Sequence, residues 1–202
     1  MTLKPITGKI NLIERLTRSD FIQIATLFFA VLLFVLLATW PSAERANNSW
    51  FVFTQARMVA LAFLALTYGA GTSNKSGLEQ RSTLLALLVL VMLSVPLEVA
   101  SYAASYPTTP FAWSFGLTLL DTVALFGVGL LVGSLLTKAR LRGFISIAVI
   151  AVMVGLFSVD QLLHVNVFNP LTTLHVVSPF HLGVMTILAI LTLWHLLRKA
   201  SL

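Results

Sequence analysis

Four ionisable residues stand inside apolar stretches of this chain: Arg57, Glu98, Asp121 and Asp160. A charge in hydrocarbon costs roughly 2.5–3.5 kcal/mol or more, so such groups face other protein groups or water. All four lie within about eight residues of the outer ends of their stretches, roughly 12 Å of helix. Arginine suits a buried carboxylate because its planar fork holds both oxygens and it stays charged. The sequence therefore predicts an ion pair across helices. Glu98 is the first choice of partner, because the short connection between its span and that of Arg57 makes the two neighbours. Chemically, the set suits a polar network or a pathway for an ion, a proton or a substrate. An interhelical salt bridge, with the remaining carboxyls near the interface facing water, uses the same residues.

His164, His175 and His181 cluster around one predicted outer loop, and Asp160 precedes His164 by one helical turn. Two histidines and a carboxylate can bind a metal, and paired histidines can ligate haem. Neither spacing is diagnostic: there is no HExxH, and no two histidines are four apart on one helix. His195 falls at the opposite membrane face. The expectation is that no metal or other cofactor is bound by this chain, with haem or metal on His164, His175 and His181 as the alternative. Cysteine is absent. This excludes disulfides, thiolate metal sites and cysteine catalysis. Residues 69–76, GAGTSNKS, miss a phosphate-binding loop, because Asn74 stands where glycine is required and a membrane helix, not a strand, precedes them.

The elements that must position these residues are transmembrane helices. Of the 202 residues 58% are hydrophobic and only 10% charged. Mean hydropathy is +0.95. A soluble domain of this size needs more charge to cover its surface. Six apolar runs are expected to cross the bilayer, at 21–40, 51–70, 83–104, 113–136, 144–164 and 181–197. Each can span a core of about 30 Å as a helix. The fold class is all-α: one membrane domain, 1–202, with no separate soluble unit. Lys4, Lys9, Arg15, Arg18, Lys75, Arg81, Lys138, Arg140, Arg142, Arg198 and Lys199 fall on one side of this layout, and the opposite loops carry only Arg45. The positive-inside rule then places both termini in the cytoplasm, and a bacterial-type cytoplasmic (inner) membrane is the expected location. The net charge of +6 orients the protein and does not signal nucleic acid. Trp40, Trp50, Trp113 and Trp194 fall at span ends, as interfacial anchors do.

Residues 1–20 form a basic cytoplasmic or interfacial segment. Within 10–21, Ile10, Ile13, Leu16 and Phe21 form one apolar stripe, predicting an amphipathic helix in the interface. The outer loop 165–180 is apolar and punctuated by Pro170 and Pro179, so structure at the outer surface is expected there. Gly129-xxx-Gly133 permits close helix packing. Pro96 predicts a kink two residues before Glu98.

This layout resembles the permease subunits of ABC-2 type ABC transporters, including the small haem-exporter-like permeases. An amphipathic start precedes span one. The connection after span two reads Lys75-Ser-Gly-Leu-Glu-Gln-Arg-Ser-Thr, similar to the family's Gly–(Ser/Thr)–Leu–Glu run. A short basic loop, 137–143, follows a glycine-bearing span four, and Ser178-Pro179-Phe180 opens span six. The acidic and basic run usual before the glycine is reduced to Lys75, and the proline that often follows Leu-Glu is missing. The resemblance implies a transport subunit with no enzymatic activity of its own. ATP would be hydrolysed by a cytoplasmic ATPase subunit docked on Ser76, Gly77, Leu78, Glu79, Gln80 and Arg81. A second permease half, identical or not, would complete the pathway for an exported substrate. A redox membrane subunit or a structural subunit of a membrane complex are the other classes the residues allow.

Overall fold

The computed structural model describes residues 19–40, 46–105, 111–136 and 179–199, with the single positions 144, 147, 148 and 151. Five long helices make up the described part: α1 Ser19–Ala38, α2 Ala46–Thr72, α3 Gly77–Ser105, α4 Phe111–Leu135 and α5 Pro179–Arg198. All five are long and apolar enough to cross a membrane, and no strand occurs among the described residues. The chain is an all-α, multi-pass membrane protein. The expected span 144–164 lies almost wholly outside the described residues. So do segment 1–18, connection 137–143 and most of loop 165–180.

Helix ends differ from the sequence expectation where polar residues extend a helix past its apolar run. α3 starts at Gly77, ahead of the expected Thr83, because Ser76 caps it. The Glu79 N–H donates to Ser76 Oγ (3.3 Å), and the Gln80 N–H to the Ser76 carbonyl (3.0 Å). This Ser-x-x-Glu start has the spacing of a capping box. Ser76–Arg81, read from sequence as a charged loop, is thus a cap and a first helical turn. α2 likewise begins at Ala46 and carries Asn47 and Asn48 in its first turn. α5 begins at Pro179, whose missing N–H costs nothing at a helix start. α3 continues as one helix through Pro96.

α2, α3 and α4 form the centre. The α2–α4 contact is the most extensive, α5 packs on the flank of α4, and α1 lies outside against α2 and α3. Phe28, Leu32 and Leu36 give α1 its one buried stripe. Its Leu27, Phe34 and Leu37 are exposed, which is stable in lipid because acyl chains are as apolar as leucine. The core joins Leu61, Ala65 and Leu66 of α2 to Leu87, Leu90 and Val91 of α3 and Leu125, Phe126 and Leu130 of α4.

Small residues allow the α2–α4 approach. A Cβ added at Gly129 would strike the Leu66 carbonyl, and one at Gly133 the Ala70 carbonyl. Gly69 faces the Phe126 carbonyl in the same way. Gly127 lies against Thr192 of α5.

The tryptophans divide. Trp40, Trp113 and Trp194 are exposed, as anchors are. Trp50 is fully buried, contrary to the anchor expectation. It packs edge-on against Tyr102 (5.3 Å), and its backbone N–H donates to Ser105 Oγ (3.0 Å). The helix extends beyond the apolar run here, which draws Trp50 into the bundle.

Candidate functional site

The buried charges meet where α2, α3 and α4 face one another. Arg57 of α2 and Glu98 of α3 form an ion pair with both side chains fully buried. α4 closes the group. Arg57 Nη2 donates to Thr118 Oγ1 (2.9 Å), and Ser114 Oγ donates to Glu98 Oε1 (2.6 Å). Arg57 Nη1 also reaches Ser94 Oγ at 3.4 Å. One guanidinium thus ties three helices together, as its fork geometry permits.

Asp121 has a separate partner. Its Oδ1 lies 3.0 Å from His181 Nε2, and both side chains are buried. This joins α4 to the start of α5. From sequence, His181 belonged to a group with His164 and His175. The structure places it on Asp121, and His164, His175 and Asp160 lie outside the described residues. Among the described residues no three metal-ligating side chains gather.

Helical spacing extends both pairs into a polar seam. α2 contributes Trp50, Thr54 and Arg57; α3 contributes Ser94, Glu98, Ser101 and Ser105; α4 contributes Ser114, Thr118, Asp121 and Thr122. All are buried. Thr118 and Thr122 return their protons to carbonyls four residues back. Trp50 Nε1, Thr54 Oγ1, Arg57 Nε and Ser101 Oγ are buried without a hydrogen-bond partner in the protein. Buried polar atoms are normally satisfied, so these four on one seam have hydrogen-bonding capacity that the protein itself does not use.

A second feature lies at the end that carries Lys75, Arg81 and Lys199. There Gln80, fully buried, donates Nε2 to the carbonyls of Thr72, Ser73 and Lys75 (3.1, 2.9 and 3.3 Å). Arg81 donates Nε and Nη2 to the Leu196 carbonyl (3.0 and 2.7 Å), and Nη2 also reaches the Leu197 carbonyl (3.3 Å). It caps the last turn of α5, where orphan carbonyls and the helix dipole favour a cation. Gly77 lets the Lys199 backbone approach, its position for a Cβ being only 2.8 Å from that carbonyl oxygen. Of the six residues expected to dock an ATPase, Gly77 and Gln80 are buried and Arg81 is engaged with α5. Ser76 and Leu78 are exposed and Glu79 is partly so.

Arg81→Ala is expected to release the end of α5. The loss should be about 1.5–3 kcal/mol, the worth of hydrogen bonds from a charged donor. Faster trypsin cleavage after Arg198 and Lys199 would show it; an unchanged rate would mean that the cap does not hold this end.

Sequence reasoning found Arg57 and Glu98 from charge and short-loop adjacency. It missed the Asp121–His181 contact, which joins residues 60 apart. It also missed the hydroxyl partners, although Ser94, Ser101 and Ser105 recur with Glu98 at helical spacing and gave a readable signal. No family model, curated protein or solved structure matches this chain.

Proposed function

We propose that this chain is the permease subunit of an ATP-driven transporter, with ATP hydrolysed by a separate cytoplasmic subunit. The observation that carries this reading is the seam of unpartnered polar atoms beside the Arg57–Glu98 pair. A seam serving only as a lock would satisfy its own donors, whereas one that passes a polar solute presents them. The gathering of Lys75, Arg81, Arg198 and Lys199 at one end supports a cytoplasmic location for that end in a bacterial-type inner membrane. Exposed Ser76 and Leu78, with Glu79, offer the docking edge that the family resemblance implies. A second permease half, with the same or a different sequence, completes the pathway.

Gentle extraction from native membranes tests the proposal. The expected result is recovery with an ATPase subunit, and ATP-dependent flux after reconstitution of the pair into vesicles. Recovery of the chain alone, with no ATP-driven flux, would overturn it. A second reading, a non-catalytic assembly subunit, is favoured by the Arg57–Glu98 ion pair and the Asp121–His181 contact, which also suit a rigid scaffold. It predicts co-purification with other membrane subunits and no flux.

A further inference from the structure

The basic end of the bundle holds a cavity of ≈ 370 Å³ between α4 and α5. That lies at the small end of the range of about 300–1,000 Å³ for ligand sites. It has two chemically distinct parts. Val128, Leu131, Leu188 and Leu191 form an apolar wall. Leu131 and Leu191 are 59% and 54% exposed, so this wall opens sideways onto lipid. The other part holds Ser73, Gln80, Ser134, Thr192, His195 and Lys199.

Hydrogen bonds define what the polar part offers. Ser134 and Thr192 donate their protons to carbonyls of their own helices, and Ser73, just past α2, donates to the Ala70 carbonyl. Their remaining lone pairs accept. Gln80 shares its Nε2 protons among the carbonyls of Thr72, Ser73 and Lys75, which fixes the orientation of its amide. Its Oε1 is buried without a partner. The polar part therefore presents these acceptors beside the His195 ring, while Lys199 supplies a cation at the rim and reaches the Lys75 carbonyl at 3.2 Å. No carboxylate lines the described cavity. A fitting ligand has an apolar tail, an anion for Lys199 and a hydrogen-bond donor for Gln80.

We infer that this cavity binds a glycerophospholipid whose head group combines a phosphate with a hydroxyl or ammonium donor. Its acyl chain lies along Leu131 and Leu191, its phosphate faces Lys199, and its donor reaches Gln80 Oε1. Basic recesses between transmembrane helices recognise lipid head groups by this chemistry. The site goes beyond the transport reading and does not depend on it, since a scaffold would hold the same lipid.

The test uses the full chain, purified, delipidated and examined by native mass spectrometry after incubation with single lipids. Phosphatidylglycerol and phosphatidylethanolamine are expected to remain bound at one per chain. Phosphatidylcholine, which lacks the donor, and diacylglycerol, which lacks the phosphate, should be retained about tenfold less, the loss of one charge-assisted or buried hydrogen bond. Lys199→Ala should lower phosphatidylglycerol retention by a similar factor. Gln80→Leu removes three structural bonds and risks misfolding, so Leu191→Trp, which narrows the cavity from its lipid-facing side, is the second variant and should abolish the one-to-one complex. Equal retention of all four lipids, or unchanged retention in both Lys199→Ala and Leu191→Trp, would overturn the inference. Displacement of phosphatidylglycerol by an equal concentration of glycerol 3-phosphate would show a free-phosphate site and overturn it also.

Discussion

Arg57→Leu is expected to destabilise the protein by about 3–5 kcal/mol, the cost of leaving a buried charge unpaired. Glu98 is fully exposed to that cost, because the pair has no access to solvent. After the substitution Glu98 keeps only the Ser114 hydroxyl as donor, and Thr118 and Ser94 lose the guanidinium that joins them to α2. Adding Glu98→Gln removes the stranded carboxylate and should recover part of the loss, so that the double variant is more stable than Arg57→Leu alone. Arg57→Lys should not restore wild-type stability. An ammonium is a point donor and cannot serve Glu98, Thr118 and Ser94 with one planar fork. Unfolding midpoints in detergent, measured for the complete double-mutant cycle, provide the readout. Strictly additive losses would mean that the two residues do not act as a pair.

That pair was legible in the sequence because the strongest constraint on the chain is the solvent it lives in. Apolar runs, basic asymmetry and rare intramembrane charges are all read without tertiary knowledge, and the first four of the expected spans overlap α1 to α4. The ends were less legible. Asn47, Asn48, Glu79 and Arg81 look like loop residues by polarity, yet they continue helices past the hydrocarbon. Trp50 looked like an interfacial anchor for the same reason, and the longer α2 buries it. The site was half legible. Charges announce themselves, whereas Ser94, Ser114 and Thr118 are ordinary residues of membrane helices until the partner helix is known. His181 was grouped with its near neighbours in sequence, and only the packing of α5 on α4 turns it to Asp121. Gly129-xxx-Gly133 was readable as a packing motif, but its partners Leu66 and Ala70 were not, since helix pairing is not encoded by one helix alone.

The glycines of that crossing should tolerate substitution least of all the glycines in α2 and α4. Added Cβ atoms at Gly69, Gly129 and Gly133 meet carbonyl oxygens of the facing helix, and backbone cannot move aside as a side-chain tip can. Even Gly69→Ala is expected to cost about 1–3 kcal/mol by overpacking. Gly133→Leu must also displace Ser73, whose Oγ is 2.5 Å from the added carbon. It should separate α2 from α4 and prevent recovery of a monodisperse protein. Gly116, also on α4, supplies the control. Nothing lies within 4 Å of its Cβ position, so Gly116→Ala should be neutral or stabilise by about 0.5–1 kcal/mol through helix propensity. The comparison within one helix separates crowding from any general effect of glycine on α4. Equal losses at Gly116 and Gly129, or a normally folded Gly133→Leu, would mean that close packing at this crossing does not hold α2 to α4. The crossing lies next to both polar features of the bundle. Thr122 ends the polar seam, Gly127 begins the lining of the basic-end cavity, and about 8 Å of helix at 1.5 Å per residue separates them. A backbone-to-backbone contact at Gly129 and Gly133 holds α4 rigidly against α2 beside that cavity. On its other side α4 carries α5, which is held to α4 by the His181–Asp121 contact at one end and to α3 by Arg81 at the other.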